Sequence, residues 1–319
     1  MLKRVITGAI MFLVFAPFIL LGGWASTLLF AVLAYIGTFE LLRMYRSKNA
    51  IPKACLYIIP IFSSLMVLSV GYNGIGWCMY EEDSLTDIVY TLILSVITLL
   101  FIGILGKGIT MKDVCFFIFA LIYSGFSFAI MAGLRNSDLA NHSWMLSSSI
   151  NANLSYCELF NVIEINWLGL VLFGYVLFTT MFTDIGAYQF GVLFGKKKLC
   201  PNISPKKTVE GSIAGTICGA LAGTAFIVMI QIFVPAFSET RFPQFGNVYW
   251  FSLVMFCISI LLSVAGQIGD LVASKIKREY EIKDFGQIFP GHGGVLDRFD
   301  STILTTLLFT AILFLLGVF

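Results

Sequence analysis

WLGLVLFGYVLFTTMFTDIGAYQFGVLF, residues 167–194, carries a single charged side chain, Asp184, along its whole length. About 20 apolar residues in a helix cross the ~30 Å hydrocarbon core of a bilayer, and helix is the required form because lipid offers backbone N–H and C=O groups no other partner. The stretch exceeds that length. It reads as a membrane-spanning helix, and this reading decides the class of the chain.

Apolar runs at 5–21, 24–42, 54–72, 88–105, 114–134, 213–237, 248–268 and 302–319 repeat the pattern. Together they predict an all-α integral membrane protein with about nine transmembrane helices. Composition agrees: of 319 residues 58% are hydrophobic and only 12% charged, about half the charged share of a soluble domain. The mean hydropathy is +0.92. Collagen-like and disulfide-scaffold classes are excluded, because the 29 glycines show no three-residue period and the 7 cysteines include no CxxC. The first run is too long for the apolar core of a signal peptide and a second span follows Gly22–Gly23 directly.

An alternating path through these spans sorts the loops by side, and the positive-inside rule tests the count. All of the 20 Lys and Arg except Arg135 and Arg241 fall on one side, while Glu81, Glu82, Asp83 and Asp87 fall on the other. The expected topology is a cytoplasmic N-terminus and an external C-terminus. Residues 1–134 read as a five-helix membrane scaffold, 135–166 as an external polar loop, and 167–319 as a four-helix catalytic membrane region with cytoplasmic loops 196–212 and 269–301. In the external loops, Asn153–Leu154–Ser155 fits a glycosylation acceptor, and a Cys78–Cys157 disulfide is chemically allowed. Glu40, near a helix end, reads as a snorkelling scaffold residue.

Two cytoplasmic segments, 196–212 and 269–301, hold half of the 20 basic residues. Attraction to anionic headgroups, about 1 kcal/mol per Lys or Arg, is the ordinary explanation for such loops. The second segment resists it, since Asp270, Asp284, Asp297 and Asp300 stand among its cations, with glycines around His292. Carboxylates for Mg²⁺, cations for phosphate oxygens and glycines for close backbone approach are what a polyphosphate with a divalent metal requires. Asp184 lies about 18 Å along a continuous helix from Lys196. It is either a functional carboxylate or one satisfied by Thr183, Tyr188 or a helix bend. Gly191–Gly195–Lys196–Lys197 suggests a P-loop only faintly: the spacing is one residue short, and Lys197 replaces the Mg²⁺-binding Ser or Thr.

SKIKREYEIKDFGQIFPGHGGVLDRFD, residues 274–300, resembles the signature of the phosphatidate cytidylyltransferase, or CDP-diacylglycerol synthase, family. The matching positions run from Ser274, Lys277 and Arg278 through Lys283, Asp284 and His292–Gly293–Gly294 to Asp297, Arg298 and Asp300. Asp184–Ile185–Gly186, Phe194–Gly195–Lys196, Ile203–Ser204–Pro205–Lys206–Lys207–Thr208 and Gly269–Asp270 also resemble family stretches, so the likeness runs from about 180 to the C-terminus. The first five spans match only in being hydrophobic.

The resemblance implies that phosphatidate attacks the α-phosphorus of CTP at the cytoplasmic face of a bacterial inner membrane, giving CDP-diacylglycerol and diphosphate. Asp270, Asp297, Asp184 and His292 are the candidate catalytic residues, with Asp270 and Asp297 expected to bind Mg²⁺ and with K⁺ as a further cofactor the resemblance admits. Ser204, Lys206, Lys207, Lys277, Arg278, Lys283, Gly293, Gly294 and Arg298 are expected at the phosphates, and Asp284 and Asp300 behind them. His292 suits phosphate contact better than acid or base work, since phosphatidate is already ionised. Carboxylates just before the last span are also favoured by its helix N-terminus, a role that suits Asp300 better than Asp297. A CTP-dependent polyprenol or dolichol kinase is the nearest alternative, and an ion-coupled transporter is disfavoured by the lack of repeated halves. No nucleic-acid partner is expected. A homodimer is compatible with the resemblance, and no motif decides it.

Overall fold

The protein was described from a computed structural model covering residues 2–70, 84–106, 108–137, 167–233, 248–289, 291 and 293–316. Among these residues there are nine helices: α1 (Leu2–Leu21), α2 (Gly23–Arg46), α3 (Cys55–Val70), α4 (Ser84–Leu105), α5 (Met111–Asn136), α6 (Trp167–Phe194), α7 (Val209–Phe233), α8 (Val248–Glu279) and α9 (Leu296–Leu315). Seven of them have the length and hydropathy to cross a membrane; Thr7–Leu21 within α1 and Cys55–Val70 are shorter apolar helices. The expected count of about nine is therefore met for seven. The all-α expectation also needs one amendment, a two-stranded antiparallel hairpin of β1 (Lys198–Cys200) and β2 (Ser204–Thr208).

Contacts divide the chain into two compact units. The first comprises residues 1–142, 152–170 and 279–299, and the second 143–151, 171–278 and 300–319.

In the first unit, α2 and α3 form the centre, with Ala34, Leu41, Leu42, Met66 and Val67 fully buried. Hydroxyls pin the helices at fixed heights: Thr38 and Ser63 hydrogen-bond at 2.7 Å, and Tyr45 donates to Asp113 at 2.7 Å. Asp113 also closes a capping box with Thr110 at the start of α5. Within α5, residues Leu121–Phe126 form a π-turn. α4 shows the opposite pattern, with Tyr90, Ile93, Leu94, Ile97, Phe101 and Ile104 exposed. An apolar stripe at helical spacing facing outward suits lipid rather than water.

Arg135 departs from its expected place in a polar loop. It is fully buried at the end of α5, and its guanidinium donates to the carbonyls of Ile19 and Leu20, the latter at 2.9 Å. The C-terminal carbonyls of a helix lack intrahelical partners, so this cation completes α1 where Gly22, at φ +69°, ends it. Glu81–Asp83, Cys78, Cys157, Asn153–Ser155 and Arg241 lie outside the described residues.

In the second unit, α7 carries glycines at 211, 215, 219 and 223, one per turn. This repeat, which the sequence reading passed over, lets α7 lie against α6: a Cβ at Gly219 would strike the Thr183 hydroxyl, and one at Gly215 would lie 2.7 Å from Ala187 Cβ. α8 completes the group through Tyr175 Oη donating to Met255 O at 3.0 Å and a hydrogen bond between the Thr183 and Ser263 hydroxyls at 2.9 Å. With small residues at the contacts and hydroxyls across them, the packing is of the kind that holds helices together in lipid.

Candidate active site

The two charged segments expected as loops are largely ordered elements. Residues 269–279 continue α8 as helix, and 296–301 already belong to α9. At 32 residues α8 is about 48 Å long. That is well beyond the hydrocarbon thickness, so its Lys275, Lys277 and Arg278 lie on helix rather than coil. Residues 198–208 form the hairpin, pairing Lys198 with Thr208 and Cys200 with Ser204 with a register shift between the two pairs. Its base is fixed by the Glu210 carboxylate, which accepts the N–H groups of Lys196 and Lys197 at 3.0 and 3.2 Å. Gly195 and Gly191 stand where a Cβ would press on Thr208, so the glycines of the faint P-loop serve close packing.

Between α6, the hairpin, α7 and α8, all in the second unit, lies a cavity of about 600 Å³. Its lining brings together the cations Lys198, Lys206 and Lys207, the carboxylates Asp184 and Asp270, and the largely apolar side chains of Tyr188 and Val192, which follow Asp184 at one-turn intervals along α6. Lys207 Nζ pairs with Asp270 Oδ2 at 2.6 Å, and Ser274 donates to Asp270 Oδ1 at 3.2 Å. Asp184 accepts from Ser301 Oγ at 3.5 Å and lies within electrostatic range of Asp270 and Lys207. Its satisfaction by Thr183 or Tyr188 does not occur: the Thr183 hydroxyl donates to Thr179 O and shares a hydrogen bond with the Ser263 hydroxyl. Asp300 lies within range of Asp270, Lys277 and Asp184. Gly269 allows this gathering, because a Cβ there would lie 2.6 Å from Asp300 O. Gln267 and Ser212 hydrogen-bond on the cavity wall, with Gln267 Nε2 donating to Ser212 O at 3.1 Å. Arg278 Nε reaches Ile203 O at 3.3 Å, tying the hairpin turn to the end of α8.

The glycine-rich part of the signature belongs to the first unit. Gly291 and Gly293 have φ of 79° and 89°, a backbone that other residues rarely adopt. Phe289 and Gly293 exchange backbone hydrogen bonds at 3.0 and 3.1 Å, closing a tight turn. Asp297 Oδ2 accepts from Phe285 N at 2.8 Å and Gly294 N at 3.0 Å. The segment packs through Phe289 and Phe299 on Phe15, and Tyr280 lies against Tyr45 and Phe116. Lys283, Asp284 and Arg298 are exposed. His292 lies outside the described residues.

Asp184, Asp270, Asp300, Lys206 and Lys207, chosen from sequence, are thus brought together in the second unit, with Lys277 close to Asp300. Ser204 lies in β2, half-buried. Sequence reasoning missed Lys198, the Ser212–Gln267 pair and Glu40. Glu40 is 2% exposed, and its two oxygens accept from Val295 N and Leu296 N at 3.0 and 3.1 Å. The available signal was a carboxylate inside the apolar run 24–42.

Comparison with known proteins decides the family. The sequence description of the cytidylyltransferase family matches residues 2–316, nearly the whole chain. The chain belongs to that family. Similar cytidylyltransferases include the phosphatidate cytidylyltransferase of Bacillus subtilis (strain 168), 31% identical over 94% of this chain and 93% of its own length. The phosphatidate cytidylyltransferases of Staphylococcus haemolyticus (strain JCSC1435) and Staphylococcus saprophyticus are 31% and 32% identical, each over 93% of both chains. The likeness therefore extends through the N-terminal helices, where the motifs alone found only shared hydrophobicity.

Proposed function

We propose that this protein transfers a cytidylyl group from CTP to phosphatidate, forming CDP-diacylglycerol and diphosphate. The observation that carries the reading is the cavity of the second unit, where three lysines and two carboxylates share the wall with apolar side chains. Such a wall suits a substrate with an anionic head and a lipid body. In the reaction a phosphate oxygen of phosphatidate bonds to the α-phosphorus of CTP, and the bond from that phosphorus to the bridging oxygen of the diphosphate breaks. Both reactants are anions, so the barrier falls by neutralisation and alignment rather than by a protein nucleophile.

Lys198, Lys206 and Lys207 bind phosphate oxygens and offset their mutual repulsion. Asp270 orients Lys207 through their ion pair. Carboxylates and a serine hydroxyl are hard oxygen donors of the kind Mg²⁺ takes, which fits Asp184, Asp270, Asp300 and Ser301. No cluster of three or more His, Cys, Asp or Glu already shaped as a metal site occurs among the described residues. Asp270, with Asp184 and Asp300, would hold the ion, which when bound supplies charge neutralisation at the polyphosphate. Asp297, expected from sequence as a second ligand, holds the turn that carries Gly293 and Gly294. The positive-inside distribution supports nine spans, a cytoplasmic N-terminus and a cytoplasmic site, in the inner membrane of a bacterium.

The test supplies purified protein with labelled CTP, phosphatidate and Mg²⁺. Diphosphate and a CDP-lipid are expected. Release of CDP with a polyprenol acceptor would favour the kinase, and formation of neither product would overturn the reading.

A further inference from the structure

Glu40 belongs to α2, far in sequence from the signature, yet it is tied to that segment more closely than to its own neighbourhood. Its Oε1 accepts from Val295 N at 3.0 Å and its Oε2 from Leu296 N at 3.1 Å, at the first turn of α9. Asp297 grips the same stretch from within, at Phe285 N and Gly294 N. Gly286 and Gly294 flank the Glu40 carboxylate so closely that a Cβ on either would collide with it. Four backbone N–H groups of residues 285–296 are therefore held by two carboxylates, one inside the signature and one outside it.

A helix N-terminus can be capped by Ser, Thr or Asn on the chain just before it. Burying a carboxylate for the purpose is costly unless it is fully hydrogen-bonded. What the carboxylate adds is stiffness: its two oxygens, fixed in one plane, hold two successive backbone N–H groups at once. That stiffness is applied directly before Asp297 and Arg298 and directly after the left-handed Gly293.

We infer that Glu40 is a positioning residue for cytidylyl transfer, a fork on α2 that sets the first turn of α9, the helix that carries Asp300 and Ser301 one turn further on. The inference rests on the reaction proposed above and concerns the alignment of groups rather than affinity for substrate.

The experiment compares wild type, Glu40→Ala, Glu40→Gln, Gly286→Ala and the double variant Glu40→Ala/Gly286→Ala, reading kcat, KM for CTP and thermal stability. Inactive wild type would remove the reaction itself and this inference with it. With active wild type, Glu40→Ala is expected to lower kcat by about a hundredfold, the scale of a small misplacement of reacting groups. KM for CTP should stay within about threefold, since uniform binding is not what is lost. Glu40→Gln, which keeps one acceptor, should recover part of the rate. Gly286→Ala should impair turnover while Glu40 is present and cost little more once it is gone, because the added methyl then has room. If Glu40→Ala fails to fold, Glu40→Gln and Gly286→Ala carry the comparison. A kcat within about twofold of wild type in folded Glu40→Gln and Glu40→Ala, or additive losses in the double variant, would overturn the inference.

Discussion

Asp270 is the residue on which the cavity turns. It binds Lys207 through one oxygen and Ser274 through the other, with Asp184 and Asp300 in electrostatic range. Asp270→Asn removes the charge and keeps the shape, so kcat should fall by about a hundredfold or more with normal expression, and the Mg²⁺ concentration for half-maximal rate should rise. Turnover near wild type at saturating Mg²⁺ would dismiss this role. Lys207→Met should act on binding, raising KM for CTP roughly ten- to hundredfold, the scale of one charge-assisted hydrogen bond of about 1.5–3 kcal/mol; steady-state kinetics at fixed phosphatidate read it. At this scale the sequence was legible where chemistry-bearing residues stood out against their surroundings. Asp184 in an apolar run and Asp270 beside lysines announced themselves. Glu40 also stood in an apolar run, but its role was hidden, because only the tertiary structure shows which backbone N–H groups its oxygens accept.

Among the elements, the apolar runs foretold the helices well, since burial in lipid leaves a signal in composition alone. The hairpin 198–208 left none: its strands are three and five residues long, Pro201 stands in the turn and Pro205 inside the second strand, so no period-2 pattern exists to find. The helical continuation of α8 past Gly269 was hidden for the opposite reason, because charge was taken as the end of the helix when it marks only the end of the apolar surroundings. The glycine repeat of α7 gives a test at this scale. Gly219→Val would drive side-chain atoms into Thr183 and lower stability by roughly 1–3 kcal/mol, read as a reduced melting temperature in detergent. An unchanged melting temperature would mean that α6 and α7 do not meet there.

For the molecule as a whole, the scarce charges and the outward-facing apolar side chains both require a membrane, and neither says which side is which. Sidedness comes from the distribution of lysine and arginine, and it predicts that alkaline phosphatase fused to the C-terminus is active while a fluorescent protein fused there is dark. The reverse outcome would invert the topology. The division into two units was not legible from sequence, where the signature reads as one continuous motif. Its two parts nonetheless have different anchors, Phe285–Phe299 in the first unit and Ser274–Arg278 in the second.

The π-turn of α5 sets how this chain can vary in length. A π-turn holds one residue more than the α-turn it replaces, and Arg135 follows it by little more than two turns. Deleting one residue from 121–126 would restore regular helix and leave the rest nearly in phase, because the wider turn absorbs the extra residue, whereas deleting one between 127 and 134 would swing Arg135 by about 100°. The guanidinium that closes α1 would then point away from Ile19 and Leu20. Natural relatives should therefore accommodate insertions and deletions between helices freely, while the number of residues from the π-turn to Arg135 stays constant.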